Sequence, residues 1–360
     1  MKIIYVLNKV SHTSIPLEMA SLISEEEEVT IVSLYDSNTS GYKISKEVAP
    51  NCTFIPCDGQ NNLLAGLCKL RSILIKGSYD VVHTHQTLSG AWARYVTRNM
   101  KNTKKIHTVH AHHNSFNNRQ NLLIGFTLKY ADCIVANSQT TLEGLKSWQK
   151  KLIHKVPTKV IYNGVNVNEI INVDQNKSNE ILKKYRIQEN EYIFGLVGRL
   201  VKVKNHANVL KAFEKFLIEA KDTKKYKLML VGDGPERENI RNIIESSNLL
   251  RDNVVCTGLI DRKTVYSLLY RMNTFIMASF HEGFCNALME ARVVGLKTII
   301  SKIDIFTELY ENEEMIAFNP NSINEITKSM IKAVNSTSTT NGTNNVKEKY
   351  DISTSVEQYL

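Results

Sequence analysis

Residues 274–291 read Thr274-Phe275-Ile276-Met277-Ala278-Ser279-Phe280-His281-Glu282-Gly283-Phe284-Cys285-Asn286-Ala287-Leu288-Met289-Glu290-Ala291. A short apolar run (274–278) meets a polar turn holding Glu282 and Gly283, and a helical pattern follows over 285–294. An unbroken apolar run of this length suits a strand buried on both faces of a parallel sheet. The same punctuation spreads outward from it. Residues 192–197, 227–231, 253–257 and 298–301 read as further strands, with helical patterns at 207–220, 235–246 and 264–271. Nearer the N-terminus, strands are expected at 2–7, 29–34, 53–56, 81–84, 105–110, 133–137 and 159–163, with helices that include 16–24, 63–76 and 89–98. This is βαβ alternation. The polar, irregular stretch around 164–190 separates the two sets. The pattern therefore predicts two doubly wound α/β domains, 1–168 and 169–345. A final helical segment, 346–360, follows the polar low-complexity loop 336–345.

The length of 360 residues agrees with two domains. A hydrophobic fraction of 42% and a charged fraction of 22% exclude disordered and fibrous classes. No apolar run approaches the roughly 18 residues of a membrane span. The apolar run 3–7 is too short for a signal-peptide core. The six cysteines (52, 57, 68, 133, 256, 285) form no C-x-x-C pair. Reduced thiols and a cytoplasmic location are expected.

Lys and Arg number 45 against 36 Asp and Glu, a formal charge of +9. Such an excess suits an anionic partner: nucleic acid, a membrane surface or a phosphorylated small molecule. No nucleic-acid-binding module or aromatic–basic platform appears, so nucleic acid is not expected. Residues 1–175 hold 19 Lys and Arg against 13 Asp and Glu; the rest hold 26 against 23. One basic patch is Lys101, Lys104 and Lys105. Another is Lys146, Lys150, Lys151, Lys155 and Lys159, interleaved with Leu145, Trp148 and Leu152, which share a helical face. Segment 145–159 reads either as a surface for anionic lipid or as a solvated basic helix with an apolar core face.

Ligands of doubly wound sheets bind at the carboxyl ends of strands, beside helix N-termini. Three strand-to-helix turns stand out. In the first, Glu282 and Glu290 are separated by seven residues and could grip different hydroxyls of one ligand, a ribose diol and a sugar ring. Gly283 would allow close approach. Spacing alone leaves open that Glu282 caps the helix and Glu290 is solvated. In the second turn, Arg199 and Lys204 follow the strand 192–197; they suit a diphosphate, or are a basic loop at a helix start. The third, Gly232-Asp233-Gly234, is a tight turn common to all such folds.

The ordered set Asn163-Gly164-Val165-Asn166, Gly198-Arg199-Leu200 with Lys204, Gly232-Asp233-Gly234 and Glu282-Gly283-Phe284 with Glu290 resembles the retaining, nucleotide-sugar-dependent glycosyltransferases called family 4, or glycosyl transferases group 1. The similarity covers essentially the whole chain. It implies a GT-B fold: two Rossmann-like domains facing across a cleft, with the nucleotide sugar on the C-terminal one and the acceptor on the N-terminal one. The resemblance gives Arg199 and Lys204 the donor diphosphate, Glu290 the ribose hydroxyls and Glu282 a place near the donor sugar. Gly283, Phe284 and Gly232 fall in its nucleotide-sugar-binding motifs. It also implies that residues 346–360 cross back to the first domain.

Six histidines, His83, His85, His107, His110, His112 and His113, lie in the N-terminal half. A metal cluster and satisfied core positions are both open readings. The resemblance assigns a donor-sugar contact to a His after the strand 105–110, which His110 matches best, with His112 and His113 close by. There is no D-x-D motif, and no metal or other cofactor is expected. The family's glycine-rich loops are absent at 8–16 and 303–308.

The activity implied is transfer of a sugar from a nucleotide diphosphate sugar, UDP-sugar favoured, to an acceptor hydroxyl with retention. The implied acceptor is a lipid-linked glycan of bacterial surface polysaccharide (O-antigen, capsule or exopolysaccharide), met at the inner face of the plasma membrane. A sugar-nucleotide epimerase, a phosphorylase or a non-catalytic nucleotide-binding homologue would share the fold.

Overall fold

The computed structural model describes the chain apart from residues 13, 38, 112–115, 221, 311–314, 337–342 and 360, and apart from the side chains of 40 and 343–345. The chain divides into two compact units. One is Met1–Gly164 with Ile352–Leu360, and the other is Val165–Asp351. The sequence reading divides it after 168 and after 345.

The N-terminal unit is built on seven strands: β1 (Lys2–Leu7), β2 (Glu28–Ser33), β3 (Thr53–Pro56), β4 (Val81–Thr84), β5 (Lys104–Val109), β6 (Cys133–Ala136) and β7 (Thr158–Val160). All neighbours pair in parallel, in the order 3-2-1-4-5-6-7. The reversal at β1 and β4 is the doubly wound switch point. Successive residues of β1 serve opposite faces, as the two-residue period of a strand requires. Ile3, Tyr5 and Leu7 join the helix Ile15–Ile23 in one core, while Ile4 and Val6 join Leu70 and Leu74 of the helix Leu63–Lys76 in the other. Each fully buried aliphatic side chain contributes about 1.5–3 kcal/mol.

The C-terminal unit has six parallel strands: β8 (Tyr192–Val197), β9 (Tyr226–Val231), β10 (Val254–Gly258), β11 (Thr274–Met277), β12 (Lys297–Ser301) and β13 (Ile316–Phe318), in the order 10-9-8-11-12-13. One face buries Phe194, Leu196, Leu228 and Leu230 against Phe213, Phe216 and Leu217 of the helix His206–Glu219 and Ile326 and Met330 of the helix Ile323–Asn335. Two doubly wound parallel sheets are the architecture the alternation implied.

The chain leaves the C-terminal unit at a parallel bridge between Val165 and Asp351. The helix Thr343–Lys349 stays with that unit and packs on the helix Asn286–Val294. The last helix, Ile352–Glu357, belongs to the N-terminal unit. Its Ile352 and Val356 enter the core beside β1, and Ser355 donates to the Tyr162 carbonyl at 2.8 Å. Beyond it, the Tyr359 hydroxyl lies 3.1 Å from that of Thr108.

Leu145, Trp148 and Leu152 form no exposed apolar stripe. Leu145 is buried, and Leu152 packs with it on the core of Val109, Ile124 and Ile134. The helix runs only over Ser147–Leu152, with Gln149 buried beside Leu145. Leu145 and Leu152 thus follow the core-facing reading of 145–159, while Trp148 is half-buried beside Phe126.

Candidate functional site

The carboxyl ends of β8 and β9 each open into a turn at a glycine whose φ lies in the left-handed range. Gly198 has φ +154 and Gly232 φ +134, and a Cβ at 232 would stand 2.1 Å from the Gly198 carbonyl oxygen. Gly198 N–H donates to Val231 O (2.9 Å), Leu200 N–H to Asp233 O (3.0 Å) and Gly232 N–H to Gly258 O (3.1 Å). The ends of β8, β9 and β10 are thus laced together. Gly232→Ala meets both the strained dihedral and the carbonyl. It is expected to destabilise the C-terminal unit by about 3 kcal/mol, read as a shift in its denaturation midpoint.

After Leu200 the chain makes a short 3₁₀ turn, Lys202–Lys204, closed by Asn205 at φ 62. The Asn205 side-chain amide donates to the Pro320 carbonyl at 2.7 Å. The Lys204 side chain folds back over Gly198: a Cβ at 198 would lie 3.8 Å from Lys204 Nζ. Phe280 N–H donates to Val203 O at 2.9 Å, which ties the loop after β11 to this turn. Lys204 Nζ then lies 2.7 Å from Glu282 Oε1. Ser279 Oγ donates to the same oxygen at 2.7 Å, and Ser301 Oγ holds the Ser279 carbonyl at 2.6 Å. Burial alone would favour the neutral Lys204 amine. The opposing charge and hydrogen bond of Glu282 override it and hold the ammonium above its usual range. Burial pushes the Cys285 thiol itself up to about 12, so at neutral pH Glu282 is the anion facing Lys204.

The helix after this loop is Asn286–Val294, with Cys285 at its cap and no side-chain capping bond. Glu282 therefore does not cap it. Glu290 is not solvated either; it is 7% exposed. Its Oε1 accepts from Arg262 Nη2 at 3.1 Å and from the Tyr266 hydroxyl at 3.5 Å. Oε2 has no partner among the described residues. Gly283 and Phe284 are buried. Arg199 is exposed, and its guanidinium makes no ion pair or hydrogen bond among the described residues. The arrangement joins two cations, two carboxylates of different surroundings and the positive end of a helix, which is a set suited to a diphosphate joined to hydroxyl-rich groups.

His110 belongs to the N-terminal unit and sits one residue past β5. Its Nε2 lies 2.8 Å from Nδ1 of the fully buried His85, and the rings stack at 5.1 Å. His83 Nε2 meets Thr108 Oγ1 at 2.8 Å. His107 Nδ1 faces the fully buried Arg94 Nη1 at 2.7 Å. His107 and His110 line a cavity of about 340 Å³ with Asn8, Gln86, Asn121 and Gln149. Among the described residues no cluster of His, Cys, Asp and Glu has the makings of a metal site. His112 and His113 lie outside the described residues.

Burial lowers the pKa of His83 to about 3 and of His110 to about 4, and holds His85 and His107 well below the usual value. These groups are neutral in the fold and take up protons on unfolding below pH 6.5. The unfolded state then binds more protons, so stability is full above pH 6.5 and falls toward pH 3. Each such histidine adds about 1.4 kcal/mol per pH unit to that slope. Urea unfolding of the chain between pH 7 and pH 5 is the check.

Sequence reading missed Arg262, Ser279 and Gln86. Arg262 follows the helix-capping Asp261 just beyond β10. It occupies the same strand-end row as Arg199, and a search for cations at every strand end would have found it. Gln86, at φ 58, accepts from Asn8 N–H at 2.6 Å, and Asp36 accepts from Val10 N–H at 2.7 Å. Side chains thus occupy the loop after β1 where a glycine-rich loop was absent. Residues 303–308 run into the helix Asp304–Tyr310.

The fold is that of GT-B glycosyltransferases. Anabaena HepE, in a structure with UDP and glucose, superposes over 100% of this chain and 98% of its own with a TM-score of 0.78, at 16% identity. Residues 177–349 match the family described as glycosyl transferases group 1, and residues 19–169 match glycosyltransferase family 4. The chain belongs to these group 1, family 4 glycosyltransferases. Among curated relatives, the UDP-Gal:alpha-D-GlcNAc-diphosphoundecaprenol alpha-1,3-galactosyltransferase of Escherichia coli is 27% identical over 69% of this chain and 65% of its own length. The N-acetyl-alpha-D-glucosaminyl L-malate synthase of Bacillus anthracis is 25% identical over 69% and 63%. The matches thus span a little under two thirds of each relative. No helix of the described residues is long and apolar enough to cross a membrane.

Proposed function

We propose that this chain transfers a sugar from a nucleoside diphosphate sugar, with UDP as the favoured carrier, to an acceptor hydroxyl with retention at the anomeric carbon. The observation that carries this is Lys204, folded over Gly198 and held 2.7 Å from Glu282, beside the unpaired Arg199. Arg199 and Lys204 take the diphosphate, and Glu290 Oε2 takes the ribose hydroxyls while Arg262 holds Oε1. Glu282 positions the donor sugar, and His110 hydrogen-bonds it. Gly283, Phe284 and the Gly232 turn shape the nucleotide-sugar pocket. As the bond from the anomeric carbon to the diphosphate breaks, its electron pair goes to the leaving oxygen, and preorganised cations stabilise that charge. The acceptor oxygen attacks from the same face and its proton passes to a donor phosphate oxygen.

The galactosyltransferase relative's name, with its UDP-sugar and its lipid-diphosphate acceptor, supports a UDP donor and a lipid-linked glycan acceptor. HepE, bound to UDP, supports the same carrier. No metal is required in this scheme. The experiment is incubation with UDP-, GDP- and ADP-sugars and polyprenyl-diphosphate-linked acceptors in EDTA, with product configuration read by NMR. Transfer with retention supports the reading. Turnover of donor without acceptor, or inversion, contradicts it.

A further inference from the structure

The helix Asn118–Leu128 has an unusual outer side. Asn121, Ile124, Gly125, Thr127 and Leu128 are buried toward the core. The solvent side carries Leu122, Leu123 and Phe126, which are 48%, 38% and 56% exposed. A surface helix ordinarily turns charged and polar residues outward. Here three large apolar residues share one exposed face within two turns. Exposed Arg119 and Lys129 flank them, and the helix carries no acidic residue.

A second element widens the face. Gly125 has no side chain where Trp148 lies; a Cβ there would stand 2.1 Å from the indole. Trp148 therefore rests directly on the helix, with its ring 5.4 Å from that of Phe126. The exposed Lys150 and Lys151 follow on Trp148's own short helix. An apolar centre with an indole at its edge and a cationic rim is the chemistry of a surface that rests in a lipid headgroup layer.

We propose that this face, Leu122, Leu123, Phe126 and Trp148 within the rim of Arg119 and Lys129, docks on an anionic lipid surface. The proposal needs no transfer activity and stands apart from the glycosyltransferase reading. Charge selects the occupant. A second copy of the chain meeting the face about a two-fold axis would set Arg119 and Lys129 against cations, whether the helices ran parallel or antiparallel. An anionic bilayer complements the rim all round, and each cation near it adds about fivefold in affinity.

The test is co-sedimentation of the full chain with vesicles of phosphatidylcholine, alone or mixed with phosphatidylglycerol, with tryptophan emission read in parallel. The chain has two tryptophans, and the half-buried Trp92 donates to the Leu67 carbonyl. The expected result is salt-sensitive binding to the phosphatidylglycerol vesicles with a blue shift from Trp148. Arg119→Glu with Lys129→Glu should weaken binding about 30-fold or more, and Leu122→Gln with Leu123→Gln and Phe126→Gln should abolish both binding and shift. These side chains are exposed, so the melting temperature of each variant should match the wild type. Unchanged binding by the triple variant, or equal binding to neutral vesicles, overturns the proposal. So does a dimer, seen by light scattering, that the triple variant breaks without any vesicle binding.

Discussion

Lys204→Ala lowers kcat/KM for sugar transfer by about 10³-fold, with the larger part in kcat. The magnitude is that of removing one preorganised donor from a developing anion, about 10² to 10³. Here the site also reverses sign locally, because Glu282 loses the cation 2.7 Å away and is left facing the departing diphosphate. The conservative Lys204→Arg should recover only part of the loss. A guanidinium is planar and bulkier than the ammonium that fits over Gly198. Glu282→Gln separates the two roles. It removes the anion that competes for Lys204, so nucleoside diphosphate binds severalfold more tightly while transfer slows. Steady-state kinetics with matched diphosphate binding measures all three variants. A Lys204→Ala enzyme with wild-type kcat removes the ammonium from the mechanism.

Glu290→Gln weakens nucleoside diphosphate binding by about 10- to 100-fold, the range of one or two lost charge-assisted hydrogen bonds to a ribose diol. It also destabilises the C-terminal unit. The Arg262 guanidinium keeps its position over Tyr266, 5.4 Å from the ring centroid, but loses the Glu290 carboxylate. A fully buried pair would cost 3–5 kcal/mol to break in this way. Arg262 retains 20% of its side-chain exposure, so about 1–3 kcal/mol is expected. Arg262→Leu combined with Glu290→Gln should restore most of the stability and none of the binding. That split distinguishes a ligand role for Glu290 from a purely structural one. Calorimetric titration and thermal melting of the single and double variants supply the two readouts.

The strands of both sheets were legible because parallel strands buried on both faces are written as short unbroken apolar runs. The edge strand Ile316–Phe318 was not, since three residues carry no period. The helix Asn118–Leu128 was also missed. Leu122, Leu123, Ile124 and Phe126 fill both its inner and outer sides, so no amphipathic rhythm marks it. Its start is nonetheless signalled by Asn117 and Gln120, which form a capping box. In the site, the turn glycines stand out beside a strand end, whereas spacing alone left the two glutamates open and the family resemblance singled them out. The partners of those glutamates could not be read from spacing. Lys204 reaches Glu282 across 78 residues and Arg262 reaches Glu290 across 28, contacts that only the strand order creates. Sequence left segment 145–159 open between two readings because one apolar helical face looks the same whether it meets lipid or core. The exposed apolar face centres on the helix Asn118–Leu128, with Trp148 of that segment at its edge.

In the proposed mechanism Arg199 and Lys204 hold a nucleoside diphosphate without a metal ion. Isothermal titration of UDP, GDP and ADP into the full chain in EDTA tests it most directly. At least one diphosphate is expected to bind, UDP most tightly. Binding should fall by about 100-fold or more in Arg199→Ala with Lys204→Ala, at an unchanged melting temperature of the free protein. Undiminished binding by that double variant, or no binding of any of the three until a divalent cation is added, would contradict it.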